Sequence, residues 1–212
     1  MTLAVIPLLF FSALVVFSNP SGERPPDRKL NQHEQSTAQM KQKSDAENFN
    51  TIYTYILNKY KTISKEDAER ITEHLISFGN EHDLDPKLAA ALIERESSFN
   101  KHAVSSTGAK GLGQIKDFNY DDLNINDPFD IKENVNGTVK YLKTMIKQWK
   151  EKDREELKRV DTESSSKSDV QLALASYYKG FTAVKTQGVD AKTQAYVDDI
   201  IKSYQEISES SE

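Results

Sequence analysis

The sequence predicts a mainly α domain with at most a small β element, and three observations carry that expectation. Apolar residues recur at helical spacing from residue 49 onward: Phe49, Ile52, Tyr53, Ile56 and Tyr60 form one stripe, and Val135, Val139, Leu142 and Ile146 another. Helix signals flank these stripes: Ser64 as an N-cap with Ile63 and Ala68 as a hydrophobic staple, Asp85 followed by Pro86, and Gly79 as a stop. Residues 103–126 are the one plausible strand region, and they are few.

Taken in order, residues 3–17 (LAVIPLLFFSALVVF) carry no charge. As a helix they reach about 22 Å at about 1.5 Å per residue, short of the ~30 Å hydrocarbon core of a bilayer. That length suits the apolar core of a signal peptide, with small residues near Ser18 and Gly22 for cleavage, although basic residues before the run are missing. An uncleaved anchor extended by flanking residues meets the same pattern, so residues 1–18 are expected to export the chain or attach it to a membrane. Residues 19–48 are polar and contain Pro20, Pro25 and Pro26, which reads as a flexible tether before a domain spanning 49–212.

Within that domain the second helix runs from Ser64 through Ile71, Leu75 and Phe78 to Gly79, and the third follows Asp85. Residues 151–169 are a mixed-charge run, expected as a solvated helix end and loop. VQLALASYY and the stripe Tyr196, Ile200, Tyr204 and Ile207 mark the last two helices.

Composition narrows the function classes. With 33 acidic and 28 basic residues the formal net charge is −5, which argues against nucleic acid as a partner. The absence of cysteine excludes disulfides, thiolate zinc sites, a cysteine nucleophile and lipid attachment through cysteine.

The segment LIERESSFN, residues 92–100, raises the chemical question. On a helical wheel of about 100° per residue, Leu88, Ala89, Leu92 and Ile93 define an apolar face with Glu96 at its centre. Glu94 points to the opposite side, where it is expected in water, and Arg95 lies on the flank. Glu96 also falls in the last helical turn, where the dipole disfavours a carboxylate. Both effects raise its pKa, as a general acid requires. A glutamate that curls back into water or pairs with Arg95 satisfies the same spacing.

The segments that follow decide more. ESSFNKHAVSSTGAKGLGQI, NDPFDIKENVNGTVKYLKTMI and LALASYYKG together resemble the SLT-type (goose-lysozyme-like) lytic transglycosylases in residues, order and spacing, over about residues 71–204. The resemblance implies an α+β lysozyme-like fold with a substrate groove across the end of the catalytic helix. It implies Glu96 as the single catalytic acid/base, with Ser97 beside it in the Glu-Ser pair. Ser105 and Gln114 match positions that hydrogen-bond sugar, Tyr177 and Tyr196 match tyrosines that reach toward the carboxylate, and Tyr178 stands where the family has asparagine. Core packing accounts equally for Tyr177 and Tyr196, and turn geometry for Gly108, Gly111 and Gly113. His102 has no partner at ligand spacing.

By the same resemblance, Glu96 protonates the glycosidic oxygen between N-acetylmuramic acid and N-acetylglucosamine, then accepts the proton of the muramyl 6-hydroxyl as a 1,6-anhydro ring closes. The partner is then peptidoglycan glycan strands, the location exported, and no metal or other cofactor is needed. The chain departs from the family pattern at Gly113 and Lys116, where bulkier side chains occur, at Tyr178, and at Lys179 in place of alanine. Two other readings stand beside this one. In goose-type lysozymes an acidic residue after Gly-Leu-x-Gln positions water, and Asp117, Asp121 and Asp122 are candidates; a non-catalytic glycan-binding module uses the same groove. The loop DDLNIND lacks the EF-hand spacing for calcium and reads as polar.

Overall fold

A computed structural model describes residues 32–149 and 151–210. The expectation of a signal peptide or anchor at residues 1–18 lies outside these. The chain divides into two units, Met1–Ala38 and Gln39–Glu212. Of the first, residues 32–38 are the mostly exposed start of helix α1.

Helix α1 (Gln32–Lys59) corrects the sequence reading, because residues 32–48 of the expected tether are helical. Thr51, Ile52, Tyr55 and Ile56 are buried and anchor the helix by its C-terminal half. Once nucleated, helix propagates cheaply through Gln, Glu, Ala, Lys and Met, which need no apolar face to do so. Among the described residues no helix is long and apolar enough to cross a membrane.

Helix α2 (Lys65–His82) starts where expected: the Ser64 side chain accepts from the Asp67 N–H at 3.0 Å. It runs through Gly79, the expected stop, to His82 and is closed there by Asp83 in the left-handed region. Helix α3 (Pro86–Ser97) is capped by Asp85, which accepts from the Lys87 N–H at 2.9 Å. It packs against α2, against α5 (Ile131–Gln148) and against α10 (Ala191–Glu209). Consecutive residues Ala89, Ala90, Ala91, Leu92 and Ile93 are completely buried. A helix apolar all round is an enclosed helix, and the three alanines let its neighbours approach closely.

Between α3 and α5 the chain forms irregular loops and the short helix α4 (Tyr120–Leu123). Two isolated antiparallel bridges, Val104 with Lys110 and Lys110 with Ile115, make up the small β element. Ile115, Leu123 and Ile125 form a second, minor core beneath it.

The mixed-charge run folds more fully than its composition suggests, into α6 (Glu151–Val160) and α7 (Thr162–Ser165). Leu157 is completely buried and supplies the apolar anchor. Helices α8 (Asp169–Lys179) and α9 (Phe181–Gln187) follow, α8 starting with a Ser168–Gln171 capping box. Trp149, buried just after α5, donates its indole N–H to the Ser176 hydroxyl at 3.0 Å and packs 4.9 Å from the Phe181 ring. That contact joins α5 to α8 and α9.

Candidate active site

Glu96 lies in the last turn of α3, half-buried, and its Oε1 accepts a hydrogen bond from the Tyr196 hydroxyl on α10. Burial holds the carboxyl above the ordinary carboxylate range; the Tyr196 bond and the Arg95 charge oppose this without cancelling it. The adverse helix dipole acts in the same direction as burial. Tyr196 itself is 3 % exposed. Burial and then the charge of Glu96 raise the phenols of Tyr196 and Tyr177 well above their usual range, so both remain protonated donors.

The turn that ends α3 is unusual. Ser98 and Phe99 have φ of 51° and 59°, two consecutive non-glycine residues in the left-handed region. The Ser98 N–H bonds the Glu94 carbonyl at 2.8 Å and the Asn100 N–H bonds the Ser97 carbonyl at 3.0 Å. The Ser97 hydroxyl is turned back along the helix to the Ile93 carbonyl at 3.2 Å.

A loop facing Tyr177 is clamped from α5. Asn134, 1 % exposed, accepts from the Gly113 N–H at 2.8 Å and donates to the Pro128 carbonyl at 2.8 Å. Tyr177 donates to the Gly113 carbonyl at 2.7 Å, so both sides of this glycine are held. A Cβ on Gly113 would sit 1.9 Å from Thr138 Oγ1, and one on Gly111 would sit 2.1 Å from the Pro128 carbonyl. The small residue at 113 is therefore required here, because Thr138 occupies the space. Asn134 and Thr138 were not singled out from the sequence. Their signal was their phase, three and seven residues beyond Ile131 on the buried face of α5.

The other expected site residues fall into two groups. Tyr177, Tyr178 and Tyr196 gather around Glu96: the Tyr178 ring stacks on Tyr196 at 4.7 Å, and the Arg95 guanidinium lies 5.1 Å over the Tyr196 ring. Tyr178 is 40 % exposed, with the Lys192 ammonium 5.6 Å from its ring centre. Ser105 and Gln114 instead organise their own loop. The Ser105 hydroxyl accepts from the Ala109 N–H at 3.0 Å, and the Gln114 amide donates to the Ala103 and Gly111 carbonyls at 3.1 and 2.9 Å. Lys179 pairs with Asp190 at 2.9 Å and donates to the Gly188 carbonyl, a link from α8 to the start of α10. In the polar loop, Glu133 Oε2 accepts from the Asn126 and Asp127 N–H groups.

Glu94 overturns its sequence reading. It is 6 % exposed, not solvated. Oε1 receives the Tyr60 hydroxyl at 2.6 Å and the Lys59 ammonium at 2.8 Å, and Oε2 receives the Tyr55 hydroxyl at 2.8 Å. The wheel placed Glu94 correctly opposite Glu96, but the end of α1 covers that side.

Glu96, at the end of an enclosed helix with its carboxyl raised by burial and faced by phenols that stay protonated, is a candidate for proton transfer on a mainly α scaffold. The chain belongs to a known family: the family model described as "Transglycosylase SLT domain" matches residues 75–200, more than half of its length. Its relatives include "Membrane-bound lytic murein transglycosylase F" of Desulfosudis oleivorans, 28 % identical over 151 residues, covering 64 % of this chain and 31 % of that protein. The protein of the same name from Vibrio cholerae is 29 % identical over 131 residues, covering 58 % and 23 %. A "Transglycosylase" of Enterobacteria phage PRD1 is 28 % identical over 123 residues, covering 58 % and 38 %. The chain thus spans less than two fifths of the length of each of these relatives.

Proposed function

We propose that this domain is a peptidoglycan lytic transglycosylase that cleaves the β-1,4 bond between N-acetylmuramic acid and N-acetylglucosamine. The observation that carries this reading is the Glu96–Tyr196 pair, in which desolvation favours the protonated carboxyl and a buried phenol stands ready to stabilise the ionised one. Protonated Glu96 donates to the glycosidic oxygen as the C1–O bond breaks. The muramyl 6-hydroxyl oxygen then bonds C1, its proton passes to the Glu96 carboxylate, and the acid is regenerated with a 1,6-anhydro ring on the product. Tyr196 offsets the charge that Glu96 carries between the two transfers.

Tyr178 presents the exposed aromatic edge of the site, and Ser97, Ser105, Gln114 and Tyr177 are the remaining candidates for sugar contacts along a groove across the end of α3. Family membership and the names of the relatives support glycan strands as the substrate. They also favour a location in the cell envelope, and the uncharged run at residues 3–17 fits a signal peptide or anchor.

Mass spectrometry of products from purified peptidoglycan tests the chemistry: 1,6-anhydromuramyl ends are expected, and reducing ends would assign hydrolysis instead. Asp117, which the hydrolytic alternative would use, lies in an exposed turn and accepts the Phe118 N–H at 2.8 Å. Glu96→Gln should lower cleavage by about 10²–10⁴-fold, the usual contribution of a general acid. Cleavage that survives this change removes Glu96 from the role, and a wild type that binds peptidoglycan without cutting it is a binding module.

A further inference from the structure

Glu94 is a buried carboxylate that the proposed chemistry leaves idle. It lies two residues before Glu96 on α3, and its donors are Tyr55 and Lys59 at the end of α1 and Tyr60 just after it. The Lys59 ammonium also bonds the Tyr55 hydroxyl at 2.6 Å and Glu206 Oε2 at 2.8 Å. Glu206 is on α10, ten residues beyond Tyr196. One hydrogen-bonded cluster therefore joins α1 to both helices that carry the Glu96–Tyr196 pair.

Tyr60 has the more specific placement. Its hydroxyl meets Glu94, before Glu96 in sequence, and its ring packs edge-on at 5.4 Å against Phe99, after Glu96. It thus spans the turn containing Ser98 and Phe99, both in the left-handed conformation. That conformation is unfavourable for residues with a Cβ and persists where the surroundings impose it. Tyr60 is held in turn by its backbone N–H, which bonds the Ile56 carbonyl at 2.9 Å. Tyr55, Lys59, Tyr60 and Glu206 all lie outside residues 75–200, the segment matched by the family.

We propose that Glu94 and Tyr60, tied to α10 through Lys59 and Glu206, are positioning residues that hold the strained end of α3 and so aim Glu96 at its substrate. This rests on Glu96 being the acid of the proposed reaction. Lys59 and Tyr60 keep their protons around neutral pH. Burial works against the Lys59 ammonium, but its bonds to Glu206, Glu94 and Tyr55 outweigh it; burial and Glu94 push the Tyr60 phenol up to about 12.

The test compares Glu94→Ala, Glu94→Gln and Tyr60→Phe in the full chain. Two quantities are read: kcat and KM on peptidoglycan, and the titration of Glu96 followed by the 13C shift of its labelled carboxyl. Glu94→Ala should lower kcat by about 10–100-fold with KM within about twofold, since displacing a catalytic group by about 1 Å costs up to that much. Glu94→Gln, which can still accept from Tyr60, should recover most of kcat. Tyr60→Phe keeps the ring on Phe99, removes only the hydroxyl, and should lower kcat several-fold. In Glu94→Ala and Tyr60→Phe the Glu96 titration should move down toward the ordinary carboxylate range as water reaches the loosened turn. An unchanged kcat and an unchanged Glu96 titration in folded Tyr60→Phe overturn the proposal, even if Glu94→Ala does not fold. The titration needs no substrate, so it separates failure of this proposal from failure of the glycan-cleavage reading.

Discussion

Tyr196 donates its hydroxyl to Glu96 across one hundred residues of sequence, because α10 and α3 pack directly against each other. The same ring lies against Tyr178 and Arg95, so the phenol has a fixed place beside the carboxylate. The pair sets two opposing influences on one proton: burial favours keeping it and the hydrogen bond favours losing it.

Tyr196→Phe separates those influences. It preserves the aromatic stack and removes the donor that favours ionised Glu96, so the Glu96 pKa should rise further. Activity that requires protonated Glu96 is lost as pH rises through this pKa, so the alkaline limb of kcat/KM should move to higher pH in the variant. A hydrogen bond to a charged group is worth about 1.5–3 kcal/mol, which sets the expected loss of kcat at roughly 10–100-fold. A limb that moves to lower pH would contradict the assignment.

Glu96 should also be costly to stability. Its folded pKa is above the unfolded value, so the folded chain binds more protons between the two, and stability falls as pH rises through that window. Glu96→Gln has no charge to bury. Its melting temperature should exceed that of the wild type at pH 7, and the difference should shrink toward pH 4. Thermal unfolding at the two pH values measures this directly.

At Gly113 the added methyl of an alanine would collide with Thr138 Oγ1. Gly113→Ala should cost about 1–3 kcal/mol, as overpacking of a well-packed site does. Thr138→Gly removes every Thr138 atom within 3.0 Å of the new Cβ and should restore part of the loss. Denaturant unfolding of the two single variants and the double variant gives the coupling; simple additivity would place the collision elsewhere.

Asn134→Ala leaves the Gly113 N–H and the Pro128 carbonyl without their partner. Each buried polar group left unpaired costs about 1–3 kcal/mol, so the total loss should be several kcal/mol. Hydrogen exchange at the Gly113 amide should accelerate more than exchange in α3. Uniform acceleration across the domain would instead mean that Asn134 supports the whole core and not this loop.

Much of this architecture is legible in the sequence because it is decided within a helical turn or two. The caps at Ser64 and Asp85 and the stripe on α5 obey local rules, and the structure follows them, whereas α2 runs through the expected stop at Gly79 to His82. The phase that separated Glu96 from Glu94 on α3 is local as well. Residues 32–48 show no helical signal in the sequence because a polar stretch has no apolar face, yet a helix anchored by Ile52 and Ile56 extends through them. Leu157 alone was too little apolar signal to announce α6 within a charged run.

What only the tertiary structure decided is what covers each surface. A wheel shows that Glu94 and Glu96 point in opposite directions, but not that the side opposite the core is enclosed. Tyr55, Lys59 and Tyr60 enclose it from 34 to 39 residues upstream. Gly113 is likewise explained by Thr138, on a helix that begins 18 residues later. Helix phase depends on backbone geometry that each segment carries by itself, whereas burial, and with it the protonation of a carboxylate, depends on segments distant in sequence that only folding brings into contact.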